Sequence, residues 1–94
     1  MPIPPKDSAK ENRTIKLLPQ EKEGDCRFDS RFVATATAIT KFGVAVIATA
    51  HTMLLNEVRQ KGGLDYLQVF EIDGERLWFI DDVSHVTCLL PDDY

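Results

Sequence analysis

One stretch of the sequence, from Asp65 to Asp82, constrains the fold more than any other. It reads DYLQVFEIDGERLWFIDD, and its two apolar runs, rich in β-forming residues, flank the dipeptide Asp73-Gly74. An Asp-Gly pair between such runs is typical of a two-residue hairpin turn, because a type I′ turn requires positive φ at both central residues. The stretch therefore predicts a β-hairpin at the centre of a small antiparallel sheet.

The register of this hairpin follows from the two-residue turn. The predicted facing pairs are Ile72–Glu75, Glu71–Arg76, Phe70–Leu77, Val69–Trp78, Gln68–Phe79 and Leu67–Ile80. Opposed residues share one face of a sheet. The first face, called the Trp78 face below, is apolar at Leu67, Val69, Trp78 and Ile80. The second, called the Phe70 face, is apolar at Tyr66, Phe70, Ile72, Leu77 and Phe79.

A hairpin with two apolar faces must pack against other groups on both sides, whereas an antiparallel sheet that lies on one core usually exposes its other face to solvent. We expect a helix to cover the Trp78 face and the Phe70 face to remain open for a second copy or another protein. Acidic residues beside the open face would make its rim selective for a basic surface. The predicted partner-binding residues are Tyr66, Phe70, Leu77, Phe79, Glu75, Asp81 and Asp82.

The segment before the hairpin predicts a strand followed by one main helix. Residues 31–39 (RFVATATAI) alternate β-branched with mostly small side chains, which favours a strand, although a single long helix over residues 30–61 is the competing interpretation. A helix is predicted from Lys41 to Lys61, with Thr40 as its N-cap and Gly62-Gly63 as its end. The β-branched start of this helix leaves a second strand over residues 44–50 as an alternative.

The two ends of the chain are less informative. Residues 1–13 contain three prolines in the first five positions followed by polar charges, which predicts a flexible N-terminal arm. Residues 14–18 (TIKLL) fit a short strand or one helical turn, and residues 85–90 (HVTCLL) predict a further strand that ends at Pro91. The predicted fold is therefore a single α+β domain over residues 14–94, with three or four antiparallel strands packed against one main helix.

Composition and charge narrow the function classes. The chain has 94 residues and a net charge of −4, but residues 64–94 hold one basic and eight acidic residues. A carboxylate-rich surface repels phosphates, so nucleic acid is not an expected partner. The sequence has no signal-peptide layout and no apolar run long enough to span a bilayer, which predicts a cytoplasmic protein without membrane contact. Whether Cys26 and Cys88 pair stays open.

Few residues are candidates for catalysis or metal binding. His51 lies within the apolar stripe of the predicted helix, where a core histidine with one satisfied hydrogen bond is the simpler interpretation. His85 follows Asp81-Asp82, but turn chemistry explains that cluster without catalysis. The two cysteines and two histidines lack the paired spacing of structural zinc sites. We expect no catalytic residue, no metal and no cofactor.

The plan of an apolar helix followed by YLQVFEIDG resembles small uncharacterised proteins carried by phages and plasmids, a resemblance that covers less than a third of the chain and implies no activity. The sequence predicts a non-catalytic interaction module that homodimerises or docks on, and inhibits, a basic partner protein. The alternative hypothesis is a small-ligand-binding protein or minor enzyme with a pocket between helix and sheet that uses His51.

Overall fold

The computed structural model describes residues 14–94, and the predicted N-terminal arm over residues 1–13 lies outside the described residues. The described chain is α+β, with one sheet and two helices. Its elements in order are β1 (Ile15–Leu17), β2 (Arg31–Ala34), α1 (Ala36–Phe42), α2 (Val44–Lys61), β3 (Leu67–Ile72), β4 (Glu75–Asp81), β5 (His85–Leu89) and a 3-10 turn (Pro91–Asp93).

The sheet has five strands in the order β1-β3-β4-β5-β2. Every neighbouring pair is antiparallel except β2 and β5, which run parallel. The prediction of three or four strands, all antiparallel, therefore gave too few strands and missed the parallel pair. The chain between β2 and β5 contains both helices and the β3–β4 pair, and a long connection of this kind is what a parallel pair requires.

The central pair β3–β4 has the register that a two-residue turn dictates. Ile72 lies opposite Glu75, and the pairing continues to Leu67 opposite Ile80. Asp73 and Gly74 between the strands have φ angles of 53° and 87°. These are the positive values that led the Asp-Gly dipeptide to predict this turn.

The segment between β2 and α1 departs from the prediction. The predicted strand over residues 31–39 ends at Ala34, because the Thr35 hydroxyl accepts a hydrogen bond from the Ala38 backbone N–H at 3.1 Å and caps α1. A threonine that satisfies an orphan donor at a helix start, followed by alanines, outweighs the β-branched alternation. Thr40 lies inside α1 and is not an N-cap.

Gly43 divides the predicted main helix. Its φ of 87° and ψ of 154° are not helical, and α2 begins at Val44 with its axis bent 101° from that of α1. An uninterrupted helix over residues 30–61 and a strand over residues 44–50 are thus both wrong. The predicted end is correct, because Gly62 adopts a left-handed conformation and donates its N–H to the Val58 carbonyl.

The length of the helices bears on membrane crossing. Within residues 14–94, no single helix is both long enough and apolar enough to span a bilayer. Only α1 and α2 taken together reach that length and composition, and they are separated by the sharp bend at Gly43. The inward side of α2 packs against the sheet, and its residues Ile47, Ala50, Leu54 and Val58 are all buried.

Both helices pack on the Phe70 face. Phe70, Ile72, Leu77 and Phe79 are fully buried in one core with the inward side chains of α1 and α2. The expectation that the helix covers the Trp78 face is therefore wrong. The Trp78 face also carries Glu71 and Arg76, whose charged atoms lie 4.0 Å apart. Burying such an ion pair under a helix is costly, whereas the middle of the hairpin carries no ion pair on the Phe70 face, where Gln68 is the polar residue among apolar ones.

Val83, in the turn between β4 and β5, has a backbone conformation that valine rarely adopts. Its φ is 82° and its side chain is 83 % exposed. Replacing it with glycine is expected to raise the free energy of unfolding by about 0.5–1 kcal/mol, because the strain is relieved and no packing is lost. Urea denaturation measures the change. Val83→Ala is the control, since it removes the branched methyls but keeps the strained φ; equal stability of the two variants would contradict the explanation.

Candidate functional site

The structure does not gather the seven predicted partner-binding residues on one surface. Phe70, Leu77 and Phe79 are 0 % exposed beneath the helices, so the expectation that their face stays open is wrong. Tyr66 is exposed at the start of β3. Glu75 is exposed beside the hairpin turn, where it pairs with Lys41 of α1. A partner that docks on this fold cannot reach the Phe70 face without displacing the helices.

The two remaining members of that set, Asp81 and Asp82, hold loops in place. Asp81 is buried, and its carboxylate accepts the Phe28 backbone N–H at 2.9 Å and the Val83 backbone N–H at 2.8 Å. Asp82 accepts the backbone N–H groups of Ser84 and His85. Hydrogen bonds from the His85 backbone and from the Ser84 hydroxyl keep the pKa of Asp82 below its usual value. The carboxylates of Asp81 and Asp82 therefore stabilise the β4–β5 turn.

His51 is placed as a core histidine. Its Nε2 donates to the Phe28 carbonyl oxygen at 2.9 Å, and its ring stacks on Phe32 with centroids 4.6 Å apart. The centroid of the Phe79 ring lies 6.0 Å from that of His51. His51 lines neither the cavity beside β1 nor the smaller one beside the β3–β4 turn. The interpretation of His51 as a packed, hydrogen-bonded side chain agrees with these contacts.

Phe28 is the residue that ties His51 and Asp81 together, and the sequence gives no sign of it. Its ring is fully buried, and its φ of 56° is left-handed, which is uncommon for an aromatic residue. The backbone N–H bonds to Asp81 and the carbonyl bonds to His51. Asp81 and His51 thereby fix an otherwise unfavourable backbone conformation between β1 and β2.

The remaining nucleophilic and metal-ligating groups are dispersed. Both cysteines are free thiols, so the open question of their pairing resolves against a disulfide. Burial raises the pKa of the Cys88 thiol to about 12, and burial, followed by the Asp81 carboxylate, raises the pKa of Cys26. Thiols with raised pKa values are poor nucleophiles at neutral pH. Over residues 14–94 no group of three or more His, Cys, Asp or Glu side chains is arranged to hold a metal ion.

The Trp78 face is the open side of the sheet. Leu67, Val69, Trp78 and Ile80 are only half-buried, and neither α1 nor α2 lies over them. Val33 of β2, which lies across from Thr87 of β5, extends this apolar surface and is 39 % exposed. The sequence-based prediction missed this surface by assigning it to the core. The Glu71–Arg76 pair was the signal that pointed to the solvent.

The C-terminal turn borders the Trp78 face. Asp93 accepts the hydroxyls of Thr35 at 2.8 Å and Thr37 at 2.6 Å, and these hydrogen bonds, with one from the Leu90 N–H, lower the pKa of Asp93. The anchored turn brings the Tyr94 ring edge-on to Trp78, with centroids 5.7 Å apart. Trp78 therefore has an aromatic neighbour on one side and stays open on the other.

Comparison with protein-family models, with curated proteins and with solved structures gives no match to this chain.

Proposed function

We propose that this protein is a non-catalytic interaction module that forms a homodimer through its Trp78 face. The observation that carries the proposal is the apolar surface that residues 14–94 leave uncovered on a sheet whose other face packs against α1 and α2. Covering apolar surface contributes about 25 cal/mol per Å². Half-buried tryptophan, leucine, valine and isoleucine side chains on one continuous surface are a larger apolar patch than isolated exposed residues form.

The size and shape of the face support a second copy as the occupant. Five strands of three to seven residues, spaced about 4.8 Å apart, form a face about 24 Å wide and on average about 16 Å long. Two such faces packed together cover about 800 Å² in total, which is the size of a weak, transient interface. Sheets pack face to face when both surfaces are flat and apolar. A second copy of the chain presents the same apolar sheet face, so it can cover the Trp78 face of its partner.

The charges around the face favour a second copy over a basic partner. Lys16, Arg31 and Arg76 lie on this side of the sheet, whereas Glu71 is the acidic residue among its strand positions. A strongly basic protein would meet three cations there. A second copy brings the same three cations, but unlike a uniformly basic partner it also brings Glu71, which has basic residues to pair with across a two-fold interface.

The absence of an assigned catalytic role rests on how the reactive side chains are used. His51 and Asp81 hold Phe28, Asp82 holds the β4–β5 turn, and Cys88 is buried with a raised pKa. His51, Asp81 and Asp82 are thus engaged in hydrogen bonds to the backbone, and Cys88 is packed in the core. They support a module that acts by binding.

Trp78 is the single tryptophan of the chain, so its fluorescence reports on the proposed interface. We expect the emission to shift to the blue as protein concentration rises, together with an increase in mass by sedimentation equilibrium. Ile80→Glu places a charge in the interface and is expected to keep the protein monomeric, with the emission independent of concentration.

Val44→Glu is the matched control for this experiment. Val44 is 67 % exposed on α2, on the opposite side of the sheet, so the same change of charge there should leave dimerisation intact. A wild-type protein that remains a monomer at high concentration would overturn the homodimer. A monomer whose Trp78 emission shifts only with an added basic protein would identify the other occupant.

A further inference from the structure

We infer that the cavity beside β1 is a binding site for a linear aliphatic polyamine. The cavity has a volume of about 640 Å³ and lies between the end of β1 with its following loop, the last turn of α2 and the start of β3. Its size is within the range of small-molecule sites. The cavity lies on the side of the sheet that carries the helices, away from the Trp78 face. The inference is therefore independent of the proposed homodimer.

Gln68 is the observation that points to a ligand. Its side chain lines the cavity, and the residue is only 3 % exposed. The amide nitrogen donates to the Asp65 carbonyl at 3.0 Å, which fixes the orientation of the amide group. The amide oxygen has no hydrogen-bond partner within residues 14–94. This oxygen keeps contact with solvent, because among the described residues the buried side-chain atom without a hydrogen-bond partner is the Ser30 hydroxyl. A ligand N–H group that enters the cavity therefore replaces water at this acceptor.

The charges of the cavity wall select a cation. Glu21 and Glu23 of the loop and Glu57 of α2 line the cavity together with Lys22 and Lys61, which gives an excess of one negative charge. Lys61 is paired with Glu57 at 2.9 Å, whereas Glu21 and Glu23 have no ion-pair partner within residues 14–94. An ammonium group between Gln68 and Glu57, and a second near Glu21 and Glu23, satisfies both ends of the site.

The apolar part of the wall favours an aliphatic chain between the two ammonium groups. Leu17, Leu18 and Pro19 at the end of β1, and Leu64 across from them, contribute to the lining. Methylene groups laid against these side chains lose water without losing hydrogen bonds. A simple inorganic cation has no group to place there, and an anion meets the excess of carboxylates.

The cavity is built on a rigid base. Cys26 and Leu64 exchange two backbone hydrogen bonds of 2.9 Å, which close the loop against the segment after α2. Gly24 and Gly63 lie in this contact, and a Cβ atom at either would come within 2.6 Å of backbone atoms of the opposing segment. The close approach of the two backbones therefore requires glycine at both positions, and it fixes the loop that forms one wall of the cavity.

An NMR titration of the full chain with spermidine and with putrescine tests the inference. We expect saturable shifts of the Gln68 side-chain amide and of the Leu64 backbone amide. 1,4-Butanediol, which has the chain length of putrescine without its charges, should produce none. Gln68→Met keeps the approximate shape but removes the acceptor, together with the hydrogen bond to the Asp65 carbonyl, and it is expected to weaken spermidine binding about tenfold.

A second pair of variants separates the site from general attraction to an acidic protein. Glu57→Gln and Glu71→Gln each remove one negative charge, but Glu71 lies on the Trp78 face. Only Glu57→Gln is expected to weaken binding. Absence of saturable shifts at about 10 mM spermidine, or equal weakening by the two glutamate variants, overturns the inference. Because Glu57 and Glu71 are surface side chains, this comparison decides the matter even where Gln68→Met disturbs the fold.

Discussion

Replacing Phe79 with alanine is expected to lower the free energy of unfolding by about 3–5 kcal/mol. Phe79 is fully buried, and its ring packs edge-on to Phe70 with centroids 5.3 Å apart. The rings of Phe32 and His51 each lie 6.0 Å away on another side. Removing the ring leaves a void between the sheet and α2, which the paired strands around it cannot close. Urea denaturation followed by circular dichroism measures the loss.

Trp78→Ala is the matched control for Phe79→Ala. The two residues are neighbours in β4 but lie on opposite faces, and Trp78 is only half-buried although it is the larger side chain. We expect a smaller loss of about 1–2 kcal/mol from Trp78→Ala in dilute monomeric protein. If Trp78→Ala were the more destabilising change, the helices would cover the Trp78 face, and the original sequence-based expectation would be right after all.

The features that the sequence predicted correctly are those fixed by neighbouring residues. Asp73-Gly74 supplies the two positive φ angles of a tight turn, and the turn length alone then sets the register of β3 against β4. Gly62 likewise ends α2 through its own backbone conformation. Each of these features depends on a few consecutive residues, so the local sequence was sufficient to predict it.

The features that it did not predict depend on distant parts of the chain. β2 lies beside β5, with more than 50 residues between Arg31 and His85, and no local pattern specifies a parallel neighbour at that separation. The bend at Gly43 is similar, because a glycine at a helix start and a glycine that redirects the chain give the same sequence signal. The alternating side chains of residues 31–39 also led to a wrong strand prediction beyond Ala34, because the capping hydrogen bond of Thr35 starts a helix there.

The candidate site was missed for a related reason. The register correctly sorts side chains into two faces, but which face the helices cover is decided by the path of the connection from β2 across the sheet. Only the charged pair Glu71–Arg76 distinguished the faces in advance. The cavity beside β1 could not be predicted, because it depends on the contact of Gly24 with the segment after α2, which is distant in sequence.

The second large effect is expected at Asp81. Asp81→Ala should lower the free energy of unfolding by about 2–4 kcal/mol, because it leaves the backbone N–H groups of Phe28 and Val83 without their acceptor. The bond to Phe28 is the more important of the two, since it is buried and holds a left-handed aromatic residue. Urea denaturation gives the total loss, and hydrogen exchange of the Phe28 amide locates it.

Two substitutions test whether the lost acceptors explain that effect. Asp81→Asn keeps the shape and one acceptor oxygen, so its cost should fall between those of wild type and Asp81→Ala. Asp82→Ala removes the neighbouring carboxylate, which also accepts hydrogen bonds but is exposed, so water replaces it and we expect a loss below about 1 kcal/mol. If Asp81→Ala cost no more than Asp82→Ala, water would reach the Phe28 N–H, and the positive φ of Phe28 would have to be held by His51 and the packing of its ring alone.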